Sequence, residues 1–130
     1  MKKILLDTNA YSALLNGDKK IFDIISKAKV IYLSVIVIGE LFAGFNGGNK
    51  KQENIDLLNE FLGQSSVELL EVSFETSSVF GLLKHDLKKD GTPIPLNDVW
   101  IASQSLETGA VLVTLDSHFK KVKGLRIFDL

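Results

Sequence analysis

Asp7, Glu40, Asp98 and Asp116 are the acids of this chain whose neighbours do not look like a water-washed face. Asp7 follows directly on Ile4-Leu5-Leu6, and Asp116 follows the apolar run Val111–Thr114 in the same way. Glu40 lies in Val37-Ile38-Gly39-Glu40-Leu41-Phe42, where Leu41 and Phe42 cannot both face a core without turning Glu40 close to it. An unpaired buried carboxylate is costly, so such a group is neutralised, paired or bound to a metal. Asp98 stands in Asn97-Asp98-Val99-Trp100-Ile101-Ala102. With Asn97 as N-cap it falls in the first helical turn, where the helix dipole favours negative charge and a ligating carboxylate is held rigidly. Four acids brought together repel one another unless a divalent cation or a proton intervenes. The chain has no cysteine and only two histidines, His85 and His118, so an all-oxygen donor set suits Mg²⁺ or Mn²⁺ and not Zn²⁺.

Each of these residues also has a purely structural explanation. Asp7, Thr8 and Asn9 are N-cap types placed just before a helix beginning near Ala10. Asp98 can serve the helix dipole alone, and Glu40 can reach solvent or a lysine. His118 reads as a surface histidine, with a phosphate contact as the alternative. The residue types by themselves leave these roles open.

The elements that would have to position the acids follow from periodicity and punctuation. Strands are expected at Ile4–Leu6, Val30–Leu33, Val67–Val72 (near an edge), Ala110–Thr114 and Leu125–Phe128. Helices are expected from Ala10 to Asn16-Gly17, and from Lys19 to Ala28 behind an Asp18 cap, with Ile21, Phe22, Ile24 and Ile25 as its apolar stripe. Ser34 caps a third, containing Val37, Ile38, Leu41, Phe42 and Phe45, on which Gly39 and Ala43 offer a face for close backbone approach. A fourth runs from Lys51 to Leu62, and a fifth from a Ser73 cap to about Lys88 with Val79, Leu82, Leu83 and Leu87 inward. The sixth ends at Thr108-Gly109, after a stiff loop, 90–95, that holds both prolines, and Asp116–Lys121 is a single helical turn. Strands alternating with helices make an α/β fold with a mainly parallel sheet and one core. Asp7 and Asp116, each at the carboxyl end of a strand, then share one rim, and they meet if their strands are neighbours.

At 130 residues the chain suits one domain spanning 1–130, and 45% hydrophobic with 24% charged residues is ordinary for a globular protein. The apolar start Ile4–Leu6 is cut off by Asp7, and the longest apolar stretch, 30–38, is far short of the roughly 20 residues that a membrane helix needs. A soluble, cytoplasmic protein without membrane contact is expected. A net charge of −1 gives no general basic field for nucleic acid. The local clusters Lys50-Lys51, Lys84/His85/Lys88/Lys89 and Lys120/Lys121/Lys123/Arg126 are solvated faces, unless they ring an acidic site that receives a phosphodiester.

The chain resembles the PIN-domain ribonucleases, and within them the small VapC-type toxins of type II toxin–antitoxin pairs. The resemblance rests on Leu6-Asp7-Thr8-Asn9, on Ile38-Gly39-Glu40-Leu41 with Gly44, on Asn97–Ala102, and on Val113–Phe119 with Gly124-Leu125. These pieces occur in that order, with the acids at 7, 40, 98 and 116, and no acidic position departs from the pattern. The separate pieces are weak; together they span nearly the whole chain. Composition and periodicity would not have supplied the family.

That resemblance implies a single PIN-like domain and an Mg²⁺-dependent endoribonuclease, with Mn²⁺ as a possible substitute. It implies an acidic site of Asp7, Glu40, Asp98 and Asp116, with Asp7 and Asp98 as direct metal ligands and Asn9 and Thr114 supporting them by hydrogen bonds. Asp116 or Glu40 would then orient the attacking water. It further implies an RNA substrate, a small antitoxin protein as partner and a homodimer. Two other readings compete. A phosphatase with Asp7 as nucleophile would usually carry a second Asp two residues on, where this chain has Asn9. A non-catalytic interaction module would treat all four acids as caps and surface charge.

Overall fold

The computed structural model describes residues 3–128 and 130. Its first strand, β1 (Lys3–Leu6), has Ile4, Leu5 and Leu6 all at 0% exposure. Successive strand residues face opposite sides, so this run is apolar on both faces because both are covered, as a central parallel strand requires. β1 pairs in parallel with β2 (Val30–Ser34) on one side and β4 (Val111–Val113) on the other, and β3 (Val67–Leu70) adds beyond β2. The sheet order is therefore β3-β2-β1-β4.

Between these strands run α1 (Thr8–Leu15), α2 (Lys19–Lys27), α3 (Val35–Asn46), α4 (Lys51–Leu62), α5 (Phe74–Lys89) and α6 (Leu96–Thr108). From β1 the chain winds through β2 to β3, then returns by way of α5 and α6 to place β4 against the far side of β1. The order of winding thus reverses between β1 and β4. In open α/β sheets the crevice for ligands lies at such a reversal, beyond the carboxyl ends of the strands.

Several local expectations survive with changed edges. Helix α1 begins at Thr8 rather than Ala10, because Asp7 caps it by accepting the Ala10 N–H. Ser34 and Ser73 cap α3 and α5 as their positions suggest. β3 is shorter than expected and lies at the edge. The segment Leu125–Phe128 forms only an isolated bridge, Ile127 to Leu112, because β4 supplies just three residues of ladder. Asn97 is not the cap of α6: Pro95 is, and Asn97 lies inside the first turn with Asp98. Pro at that point removes a donor the helix start could not use.

Two apolar faces turn differently from expectation. Phe42 is 40% exposed while Leu41 is buried, so α3 packs through Val37, Ile38, Leu41 and Phe45 and leaves Phe42 at its flank. On α5 the buried stripe is Thr76, Leu83 and Leu87 with Phe80 beside them, a seven-residue recurrence that leaves Leu82 65% exposed. Phe22 likewise stands outside the α2 stripe of Ile21 and Ile24. Gly39 and Ala43 are exposed, and a side chain added at Gly39 would meet nothing within 4 Å, so no backbone approaches there.

Helix α6 is held at a fixed angle by buried polar contacts. Ser34, at the end of β2, donates its hydroxyl to Gln104 Oε1, and Gln104 Nε2 donates to the Glu71 carbonyl after β3. Ser105 donates to the Ala110 carbonyl at the entry to β4. Each of these groups would be costly to bury unpaired. The first two tie α6 to the carboxyl ends of β2 and β3, and the third ties it to the start of β4, so the helix that carries Asp98 is fixed to the sheet at both edges.

Candidate acidic active site

The site assembles from the ends of β1 and β4 outward. The ladder runs one residue past β1, where the Asp7 N–H donates to the Val113 carbonyl at 3.3 Å. Asp7 is 4% exposed, with Oδ1 accepting from the Ala10 N–H at 2.8 Å and Oδ2 from the Thr114 hydroxyl. The same Thr114 oxygen accepts the Asp116 N–H at 2.9 Å. One hydroxyl therefore clasps the two strand ends. Asp7 is at once the helix cap and a member of the acidic group, so the two readings of it do not exclude each other.

Glu40 comes from the second turn of α3. Its Oε1 accepts the Thr8 hydroxyl at 2.7 Å, a contact across 32 residues that links α1 to α3. The sequence offered Thr8 only as an N-cap type and as part of the Leu6–Asn9 piece, with no sign of a bond to Glu40. Asn9, expected to support the site, is exposed, and no hydrogen bond joins its side chain to any of the four acids among the described residues. Ala10 and Tyr11, both fully buried, anchor the start of α1 beneath these groups, Tyr11 edge-on to Phe61 with ring centres 5.3 Å apart.

Asp98 and Asp116 close the group from α6 and the β4 exit. The side chain of Asp98 is 18% exposed and that of Asp116 26%. Asp116 caps the short 3₁₀ turn Ser117–Lys121 by accepting the His118 N–H, and the His118 ring nitrogen Nδ1 lies 3.0 Å from its Oδ1. The same nitrogen is 3.8 Å from Asp98 Oδ2. His118 is thus not a detached surface histidine. Its backbone spacing from Asp116 fits a local capping turn, which is the signal that could have drawn it in.

Electrostatics tie all four acids together. Burial pushes the Asp98 carboxyl up to about 6, and the charges of Asp116, Glu40 and Asp7 push the same way, against the pull of His118. Asp7 is raised too, chiefly by burial and further by Asp116 and Glu40, although its bonds to Thr114 and Ala10 oppose the rise. Like charges gathered around Asp7 and Asp98 are not placed to stabilise the fold.

The donor chemistry fits a hard divalent cation. Asp98, Asp116 and His118 each offer one ligand atom, and these lie within 4.8 Å of one another. That is close to the span of ligands around one ion with bonds of about 2.1 Å. The nearest ready-made set therefore includes an imidazole and is not purely oxygen. Asp7 and Glu40 stand around it as further carboxylates that a second or shifted ion could use.

Comparison with known proteins places the chain in a family. The chain matches the PIN domain family over residues 4–125. It is 31% identical over 126 residues to ribonuclease VapC2 of Rickettsia felis, covering 93% of this chain and 92% of that one. It is 26% identical over 132 residues to the tRNA(fMet)-specific endonuclease VapC of Salmonella typhimurium, covering 99% and 98%. In structure it is similar to VapBC2 of Rickettsia felis bound to a DNA fragment from its promoter, with a TM-score of 0.84, 28% identity and 96% of both chains covered.

Proposed function

The chain belongs to the PIN-domain family, and from there we propose that it is a metal-dependent endoribonuclease, the toxin of a toxin–antitoxin pair. One observation carries this reading: carboxylates from four separate elements gather at the reversal between β1 and β4, where the charges of Glu40 and Asp116 help to raise Asp7 and Asp98. A fold keeps such a repulsive group only if something cationic uses it. Neither a set of caps nor a phosphatase nucleophile accounts for all four.

Asp7, Asp98, Asp116 and Glu40 are the groups that would hold Mg²⁺ or Mn²⁺, with His118 able to join Asp98 and Asp116. When bound, the cation supplies Lewis acidity, offsetting charge on the phosphoryl oxygens and making water a better nucleophile. The protein's own residues do the rest. Thr114 holds Asp7 and the Asp116 backbone in one register, so the two strand-end acids cannot drift apart. Asp116 already receives the His118 N–H and faces its ring, whereas Glu40 has Oε1 held by Thr8 and Oε2 without a hydrogen bond among the described residues. Glu40 Oε2 is therefore the better acceptor for the proton of the attacking water. Burial raises the Asp7 carboxyl, and a cation beside it would offset that cost and the repulsion of Asp116 and Glu40.

Single-stranded or looped RNA is the substrate class, since exposed bases are what proteins read in RNA. The solved relatives are toxin–antitoxin complexes, which supports a small antitoxin as the natural inhibitor here. A homodimer acting in the cytoplasm completes the proposal. Among the described residues no helix is long and apolar enough to cross a membrane. Purified protein with structured RNA and Mg²⁺ or Mn²⁺ should give discrete fragments, and EDTA should abolish them. Expression without a partner should slow growth, and Asp7→Asn should relieve it. Cleavage undiminished by EDTA, or equal harmlessness of wild type and variant in the native host, would overturn the reading.

A further inference from the structure

The first turn of α6, which carries Asp98, also borders a groove of about 400 Å³ that no catalytic role explains. Its walls include Lys84 and Lys88 from α5, Pro93 and Ile94 from the loop, and Leu96 and Val99 from α6. Leu96 and Val99 of the groove and Asp98 of the acidic site all belong to the first turn of α6, so no more than one helical turn separates the two. Leu96 is 56% exposed, an apolar side chain left uncovered at the groove's lip. Lys84 and Lys88 are one helical turn apart on the same face of α5. Neither lies within ion-pair distance of a carboxylate among the described residues, whereas nearby Lys123 is paired with Asp90 at 3.5 Å.

We infer that this groove is the seat of the nucleotide next to the scissile phosphodiester, with Lys84 and Lys88 on its phosphates and its base against Leu96, Ile94 and Pro93. The inference rests on the ribonuclease reading and adds where the substrate strand leaves the site. Charge decides the occupant. The acids attract cations, and a basic peptide drawn to them would meet two unpaired lysines here. A polyanion carrying flat apolar faces has the complementary pattern, since phosphates suit the ammonium groups and bases cover apolar surface. The two prolines of the 90–95 loop stiffen one wall, so the groove needs little ordering when the strand enters.

The test reads RNA binding apart from cleavage. A labelled single-stranded RNA dodecamer is titrated in EDTA, across a salt series, against wild type, Lys84→Gln/Lys88→Gln, Lys84→Arg/Lys88→Arg and Leu96→Ser, each first checked by thermal melting. The glutamine pair should bind about tenfold more weakly at low salt, and its log–log salt slope should be shallower by about 1.4, the value for two lost phosphate contacts on a single strand. The arginine pair should keep both affinity and slope. Leu96→Ser should weaken binding severalfold with the slope unchanged, because an apolar contact releases no counterions. Unchanged affinity and slope in the glutamine pair, or an arginine pair as impaired as the glutamine pair, overturns the groove. If the dodecamer binds with the expected slopes but Mg²⁺ yields no cleavage of any RNA, the groove stands and the nuclease reading falls.

Discussion

Replacing Asp98 by Asn should make the metal-free protein more stable, against the usual direction for a mutation in a folded domain. The Asp98 carboxyl is raised from its ordinary value of 3.8 to about 6. A raised folded pKa costs stability once pH exceeds the unfolded value, and the cost is complete above the folded one. The cost therefore grows from about pH 4 and is fully present above about pH 6. A shift of roughly two units corresponds to about 3 kcal/mol, at about 1.36 kcal/mol per unit. Asn keeps the size of Asp and removes the charge, but it gives up the helix-dipole interaction, about 0.5 kcal/mol, and the attraction of His118. Burying the amide recovers only part of the desolvation, so a net gain of about 1–2 kcal/mol is expected in EDTA at pH 7.5. For a domain of this size that is a rise of roughly 5 °C in Tm. The gain should shrink to nothing by about pH 4, where the wild-type carboxyl is protonated in the folded state. Adding Mg²⁺ at ten times its Kd should stabilise the wild type by about 1.4 kcal/mol and the variant by much less. Differential scanning fluorimetry of both proteins, with EDTA and with Mg²⁺, across that pH range, reads all of these. A variant less stable than wild type at pH 7.5, together with a wild type blind to metal, would return Asp98 to the role of a helix-dipole charge and refute the clustering argument.

Two further changes probe the hydroxyls that hold the acids. Thr114→Val removes the donor to buried Asp7 and the acceptor of the Asp116 N–H, so it should cost about 1–3 kcal/mol in chemical denaturation and cut RNA cleavage by at least tenfold. A stable, fully active Thr114→Val would show that the strand ends need no clasp. Thr8→Val frees Glu40 Oε1 at a half-buried position, so stability should change by less than about 1 kcal/mol. Single-turnover cleavage should fall about tenfold, a part of the roughly 10²–10⁴-fold that a well-placed general base contributes, and Thr8→Ser should restore it. Equal rates for Thr8→Val and wild type would remove Glu40 from the proton-transfer step.

Much of the local structure was legible because its causes are local. The run Ile4-Leu5-Leu6 can be uniformly apolar only in a strand covered on both faces, and Ser34 and Ser73 cap helices by bonding to amides two or three residues on. The four acids could be named from their neighbours and from the family pattern, since strand ends and a first helical turn mark themselves in sequence. What the sequence could not supply was the order of the strands. Only the sheet puts β4 beside β1, and only then do Asp7 and Asp116 share a hydroxyl contributed by Thr114, 107 residues away from Asp7. The Thr8–Glu40 bond and the place of His118 against Asp98 have the same origin: they depend on how α1, α3, α6 and the β4 exit converge, which no window of residues contains. The misread faces have a related cause. Phe42 and Leu82 lie about one residue's rotation from their helices' buried stripes, and which flank is covered is settled by the neighbouring helix, not by their own hydrophobicity.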